Sequence, residues 1–397
     1  MRTYRELFRV PEFTPFFAVF SLYTAAMTIM SLAVATLVYT ATGSPLLSAL
    51  SMFGSSFAQV IGAMTLLSAA DRLPPRRANV ALAAVFALST YALAVPGMPI
   101  WGTLGVIAVM GLVGSLGGGV RWGLLSDIVP DSGYVLARST VTMAGGITQV
   151  VGLAFGGVLI ATVSARSALL IAATLHLITV VVARFGLTHR PPRATGRPSV
   201  RATWQVNRIL WSAPERRYLY LALWVPNGLI VGCEALFIPY APESASILFI
   251  AAALGMFAGD MAMGRFIPPA WRRRLLTPAR IVLAAPYLLF LLPMPLPIAL
   301  IVVAVASTGF SACLILQERL LALVPEELRG QALGLHTSGM LVLQAVGATV
   351  AGAVAQYLAA GTAMAVTAAA SLLVTLALIP FLRSPAQTPS RAEPIPA

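Results

Sequence analysis

The sequence predicts an all-α membrane protein: twelve transmembrane helices in two pseudo-symmetric six-helix bundles. Three observations predict it. The 397 residues are 58% hydrophobic and only 10% charged, with a mean hydropathy of +0.87, an apolar load that a water-soluble domain cannot cover with polar surface. A stretch around Ser126–Gly157 returns 195 residues further on. Between Val129–Leu159 and Val324–Val354 eight of 31 positions are identical, among them Pro130/Pro325, Gln149/Gln344, Gly152/Gly347 and Gly157/Gly352. Each copy is a helical hairpin with a polar turn, and duplicated hairpins of this kind mark secondary transporters. Finally, the arginines fall on alternate connections between the apolar runs, as they do when those runs cross a bilayer.

A spanning helix needs about 20 apolar residues, roughly 30 Å at 1.5 Å per residue. Twelve runs qualify, at about 13–40, 45–69, 78–96, 101–125, 134–162, 166–185, 218–240, 244–264, 277–293, 296–322, 330–358 and 362–382. Turn signals separate them, including Thr42-Gly43-Ser44-Pro45, Pro96-Gly97-Met98-Pro99 and Pro293-Met294-Pro295. One set of alternate segments holds Arg2, Arg5, Arg9, Arg76, Arg77, Arg138, Arg190, Arg272, Arg280, Arg329 and Arg383, whereas the opposite loops hold only Arg166. By the inside-positive rule the first set is cytoplasmic, which places both termini there.

The expected organisation follows. Residues 1–186 form the first bundle, 187–217 a cytoplasmic linker, 218–383 the second bundle, and 384–397 a disordered cytoplasmic tail. Within the linker Val200, Trp204 and Trp211 recur near helical spacing with Arg201, Gln205 and Arg208 between them. That pattern predicts a short amphipathic helix on the inner leaflet. The basic N-terminus precedes an apolar run too long for a signal peptide, so the first helix is expected to be retained.

All 26 basic residues are arginine and the net charge is +13. No soluble domain presents them as a basic face, so they are read as topology determinants and not as a nucleic-acid surface. Cys233 and Cys313 lie inside spans without metal or redox spacing, and no metal is expected. Phosphate loop, HExxH motif, nucleophile elbow and nucleotide-binding domain are all missing from the sequence, so neither an enzyme nor a cofactor is expected.

The loop after the second run reads Asp71-Arg72-Leu73-Pro74-Pro75-Arg76-Arg77. With the duplication and the inferred cytoplasmic termini, the chain resembles the major facilitator superfamily over nearly its whole length. In detail it resembles actinobacterial members of the drug-exporter (drug:proton antiporter) branch. The superfamily's loop signature is Gly-x-x-x-Asp-Arg-x-Gly-Arg-Arg. Asp71, Arg72, Arg76 and Arg77 match its charges, Leu67 stands at its first glycine, and Pro74-Pro75 replaces the glycine before the arginines. A weaker counterpart, Gly259-Asp260-Met261-Ala262-Met263-Gly264-Arg265, closes the eighth run. The resemblance implies a conformational latch in which Asp71 caps a helix and a loop arginine pairs with Asp127, with Asp260 and Arg265 as its second-half equivalent. Read without the resemblance, the same arginines are ordinary topology residues. Gly152-Leu153-Ala154-Phe155-Gly156-Gly157 is similar to the Gly-Pro-x-x-Gly-Gly motif of proton-driven exporters, with Leu153 in place of proline. Gly152, Gly156, Gly157, Gly347 and Gly352 are also explained by close helix packing.

Few ionisable groups lie within spans, where a charge at mid-bilayer costs at least ~2.5 kcal/mol on insertion scales. Glu234 is the foremost, about 25 Å along the helix axis from Arg217. It reads as a proton or cation site on the transport path, or as a structural acid. Pro226, Asn227 and Gly228 precede it, where a loosened backbone can line a cavity. The family's exporters carry an arginine deep in the fourth helix. Here Arg121, near its inner end, either takes that place or is a snorkelling or Asp127-paired arginine. Gln149, Gln344 and Gln59 are substrate ligands or interhelical glue. His176 and His336 read as packing residues or switches, and Tyr23, Trp101, Trp224 and Tyr240 as belt or cavity aromatics.

Together these readings predict a monomeric, multi-pass plasma-membrane transporter with a small-molecule substrate, protons as coupling partner, and a cavity lined by helices 1, 4, 7 and 10. Export of a drug-like or secondary-metabolite compound follows from the resemblance alone. A facilitator or importer is the alternative within transport, and a membrane sensor or scaffold without a polar cavity the alternative outside it.

Overall fold

The structure, a computed structural model, describes residues 3–70, 73–192, 200–325 and 328–383. Among them twelve helices are long and apolar enough to cross a membrane, from Phe13–Thr42 to Ala360–Leu382. The tail 384–397, and Asp71 and Arg72 of the expected latch, lie outside the described residues.

Most ends coincide with the punctuation in the sequence. The first span stops at Gly43, which adopts φ 62°, a left-handed conformation that glycine alone adopts without strain. Ser44 then caps the second span by accepting from the Leu47 amide, with Pro45 at its first turn. The helix of the ninth span starts at Pro269, and its membrane-length segment begins at Arg274, close to the run expected from about 277. Arg280, which the charge alternation groups with the arginine-rich segments, lies inside that run and is buried within the span.

The pairing of spans repeats between the halves. In the first half span 1 packs on spans 5 and 6, span 2 on 4, and span 3 on 4 and 6; in the second, span 7 packs on 11 and 12, span 8 on 10, and span 9 on 10 and 12. Adding six to each member of the first set generates the second. The halves meet through spans 2 and 11 and through spans 5 and 8, two contacts that the same exchange interconverts. Two pseudo-symmetric six-helix bundles are thus a property of the contacts as well as of the sequence repeat.

Glycines set the closest approaches. A Cβ on Gly347 would overlap the carbonyl oxygen of Gly228, and one on Gly228 would overlap that of Leu343, so spans 7 and 11 touch backbone to backbone. Gly152 and Gly156 bring span 5 close to span 1, where an added Cβ would lie 3.1 Å from the Thr28 Cβ and 3.4 Å from the Ile29 Cα.

The two membrane faces pack differently. At the arginine-poor face the bundles are joined: a Cβ on Gly157 would overlap the Ser246 side chain, one on Gly352 would lie 2.8 Å from the Leu46 Cα, and Gln356 donates to Ser44 Oγ at 2.5 Å. Core clusters there mix the halves, Leu32, Ala35 and Leu153 with Phe237 and Leu248, and Ala49 with Ala235 and Ala348. Toward the arginine-rich face the clusters stay within one half, Leu7 to Leu187 in the first and Leu210 to Leu382 in the second. Apolar burial therefore closes one face and leaves the other parted.

Candidate functional site

Where spans 5 and 8 part they enclose a cleft of about 1000 Å³, which runs from Glu234 and Phe249 to Tyr134, Arg138 and Asp260 at the arginine-rich end. Span 7 places Glu234 there. Its helix runs unbroken from Pro214 to Ala235, through Pro226, and is interrupted at Leu236. Pro239 fixes that interruption, because its ring would meet the carbonyl of residue 235 in a continued helix. The expected loosening at Pro226-Asn227-Gly228 does not occur, since those residues are packed against spans 10, 11 and 12. Ser371 Oγ donates to the Pro226 carbonyl at 3.0 Å, and Asn227 Nδ2 donates to the Leu223 carbonyl and to Cys313 Sγ.

Glu234 is 7% exposed, and its Oε1 has no hydrogen-bond partner. Around it the walls are apolar, with Met143, Ile147, Leu153, Met256 and Phe257 among them, and Thr142 and Gln149 add polar groups. A buried carboxyl without a partner is stable with its proton on or with a cation against it, and poorly stable as a bare anion. Such an arrangement can exchange a proton for a cation or for a donor group that enters the cleft.

The cleft differs from the cavity expected between helices 1, 4, 7 and 10. Its described lining comes from spans 5, 7 and 8, while Tyr23, Ser51, Ser55, Gln59 and Met110, from spans 1, 2 and 4, surround a smaller cavity of about 230 Å³ in the first bundle. Spans 5 and 8 touch at Gly157 and Ser246, and the cleft lies on the arginine-rich side of that contact.

Of the residues singled out in the sequence, Glu234, Gln149 and Asp260 meet in this cleft. Asn227 is buried away from it, and Gln344 is not among the residues that line it. Arg121 stays inside the first bundle, with its guanidinium carbon 3.7 Å from the centroid of the Tyr23 ring. Tyr23 in turn packs on Phe86 and His176. Arg76 and Arg77 border a pocket with Arg184 and His189. Asp127 and Arg265 are exposed near the same face.

Sequence reasoning missed two features. Arg280, with Nη2 3.4 Å from Thr375 Oγ1, leaves Nε and Nη1 buried without partners. Glu12, just before span 1, is gripped by Arg190 just after span 6: Nη1 and Nη2 donate to Oε1 and Oε2 at 2.6 Å each, and Thr188 donates through its amide and hydroxyl. Burial of Glu12 works against its charge, yet the bidentate guanidinium and the Thr188 bonds hold its carboxyl below the ordinary value. A carboxyl shifted down contributes stability above its unfolded-state value and loses it as pH falls through the folded one. Arg190→Ala is therefore expected to destabilise the first bundle by roughly 1–3 kcal/mol at neutral pH and to raise the midpoint of acid unfolding. Thermal melts across pH 3–7 check this, and equal melting at every pH would show that the pair contributes nothing.

Comparison with known proteins is consistent with this geometry. The family model described as Major Facilitator Superfamily matches residues 15–317. Among curated proteins none matches in sequence. Among solved structures a nucleoside transporter, NupG, superposes with a TM-score of 0.77 at 12% identity, over 93% of this chain and 99% of that one. A bacterial homologue of the human lysosomal transporter Spinster, solved inward-facing and unoccupied, gives 0.68 at 14% identity, with 94% of each chain covered. A POT family transporter in complex with a thioalcohol-conjugated peptide gives 0.68 at 12% identity, over 96% of this chain and 97% of that one. At these identities the likeness is one of fold.

Proposed function

The chain belongs to the major facilitator superfamily, and from that premise we propose that it is a secondary active transporter of the drug:proton antiporter branch, exporting hydrophobic small molecules by alternating access. Residues 1–186 and 218–383 act as the two rocking units, joined by 187–217. The arginine-rich face is the cytoplasmic one, with both termini on it, because positive loops are retained inside. On that assignment the described conformation faces inward, and the protein sits in the plasma membrane as a monomer.

The observation that carries the reading is Glu234 Oε1, buried and unpartnered at the deep end of an apolar cleft. A lipophilic substrate enters between spans 5 and 8, and its arrival displaces the proton of Glu234. Gln149 and Thr142 supply hydrogen bonds along the wall. Asp71, Arg72, Arg76, Arg77 and Asp127, with Asp260 and Arg265 in the other half, make the charge cluster that holds the cytoplasmic face closed in the opposite state.

Reconstitution tests this. Proteoliposomes with an acidic lumen are expected to accumulate a lipophilic dye, and collapse of the gradient is expected to release it. Equilibration without a gradient dependence would indicate a facilitator, uptake with the proton would indicate an importer, and inactivity toward a broad panel would indicate a sensor or scaffold.

A further inference from the structure

A second cleft, of about 1020 Å³, lies between spans 2 and 11 and shares no lining residue with the first. Its chemistry is the opposite. Among the described residues lining it Arg208 is the only charged one, whereas the Glu234 cleft also has two acids. Its wall is aromatic: Trp204 and Trp211 of the linker helix (Val200–Ser212) and Trp224 of span 7.

That wall is pre-built. Trp224 donates from Nε1 to His336 Nδ1 at 3.3 Å, and the His336 Nε2 meets the Gln317 amide at 3.0 Å. A side chain at Gly339 would overlap the Trp224 ring, so glycine makes room for it. Trp211 stacks on Trp224 with centroids 5.6 Å apart and planes 10° from parallel. Arg216 pins the end of the linker helix, donating to the Ile209 and Leu210 carbonyls at 2.7 and 3.1 Å, groups that a helix C-terminus otherwise leaves unsatisfied. Trp204 remains 55% exposed and Trp211 37%. Opposite them Gly330, Gly334 and Ser338 present a nearly flat strip of span 11, with open space beside both glycines.

We propose that this cleft is a second binding site, for a flat aromatic anion that slides between the Trp204/Trp211 wall and the Gly330/Gly334 floor and pairs its charge with Arg208. Trp211, held by its stacking on Trp224, offers exposed indole surface with little ordering left to do, and Trp204 extends it. Among the described residues that line the cleft Arg208 stands without an acid beside it, and that cation sets the preferred sign of the ligand. The site does not depend on the export reading, because equilibrium binding reports it without transport.

Fluorescein and rhodamine 123 share a xanthene ring and differ in charge, which makes them the probe pair. With the full chain in nanodiscs, fluorescence anisotropy is expected to show fluorescein bound and Arg208→Gln to weaken it about tenfold, the scale of a lost charge-assisted hydrogen bond. Gly334→Leu fills the floor and is expected to remove binding, while Glu234→Gln leaves it within twofold. Rhodamine 123 binding is expected to be unchanged by Arg208→Gln. Arg208 is exposed, so its substitution leaves the fold intact. The site is refuted if fluorescein fails to bind, binds equally to Gly334→Leu and Arg208→Gln, or is lost with Glu234→Gln.

Discussion

Glu234→Gln is expected to abolish gradient-driven accumulation while the protein folds normally. A difference of one pH unit is worth about 1.4 kcal/mol per proton, about tenfold in the substrate ratio that coupled exchange sustains. Gln occupies the same volume and keeps a polar head but carries no titrating proton, so the variant is expected to sustain a ratio near one at any gradient. Misfolding is not the confounder it usually is for a buried acid. Oε1 has no partner to lose, and the Gln amide, like the protonated carboxyl, is neutral and of the same size. The melting temperature is therefore expected to stay close to that of the parent protein. Glu234→Asp keeps the chemistry on a shorter arm and is expected to recover part of the accumulation. Proteoliposomes loaded at several luminal pH values decide the matter: accumulation equal to the parent protein at all of them would remove Glu234 from the coupling path.

How far the sequence reaches depends on whether the physics involved is local. Hydropathy runs and the alternation of arginines are local along each span, and twelve spans in two matching sets follow from them. Pro226 shows the limit. In sequence it and Pro239 are equally good helix breakers, but the Ser371 hydroxyl, 145 positions away, bonds to the backbone at Pro226, and only Pro239 ends the helix. Gln149 and Gln344 occupy equivalent places in the repeat, yet only Gln149 lines a described cleft. The repeat encodes symmetry, whereas this conformation and the linker helix, docked on spans 7 and 11, break it. Arg280 groups by charge with the arginine-rich segments, yet it lies inside the run 277–293 and is buried beside Thr375 across the bundle, a contact without a signature in the local pattern.

Gly352→Leu is expected to bias the protein against the described conformation and to reduce transport at least tenfold without unfolding it. In this state the arginine-poor face is shut by two equivalent contacts, Gly352 against Leu46 and Pro45, and Gly157 against Ser246. Backbone atoms form the first contact, so no side-chain rotation can admit a larger residue at position 352. Overpacking of this kind costs about 1–3 kcal/mol. Here the strain applies to only one of two conformations, so it shifts their ratio by roughly 5- to 150-fold. A transporter must visit both, and whichever is depopulated limits the cycle. Gly347→Val makes the contrast, because Gly347 is wedged against Gly228 within one bundle and has to fit in either state; that variant is expected to fail to fold. The readout is labelling at Ala348→Cys, with Cys233 and Cys313 changed to Ala, since Ala348 is 1% exposed in this state and packs against Ala49 across the shut face. A membrane-impermeant maleimide is expected to label the Gly352→Leu protein several-fold faster than its parent. Equal labelling together with undiminished transport would mean that this face does not open by separation of spans 2 and 11.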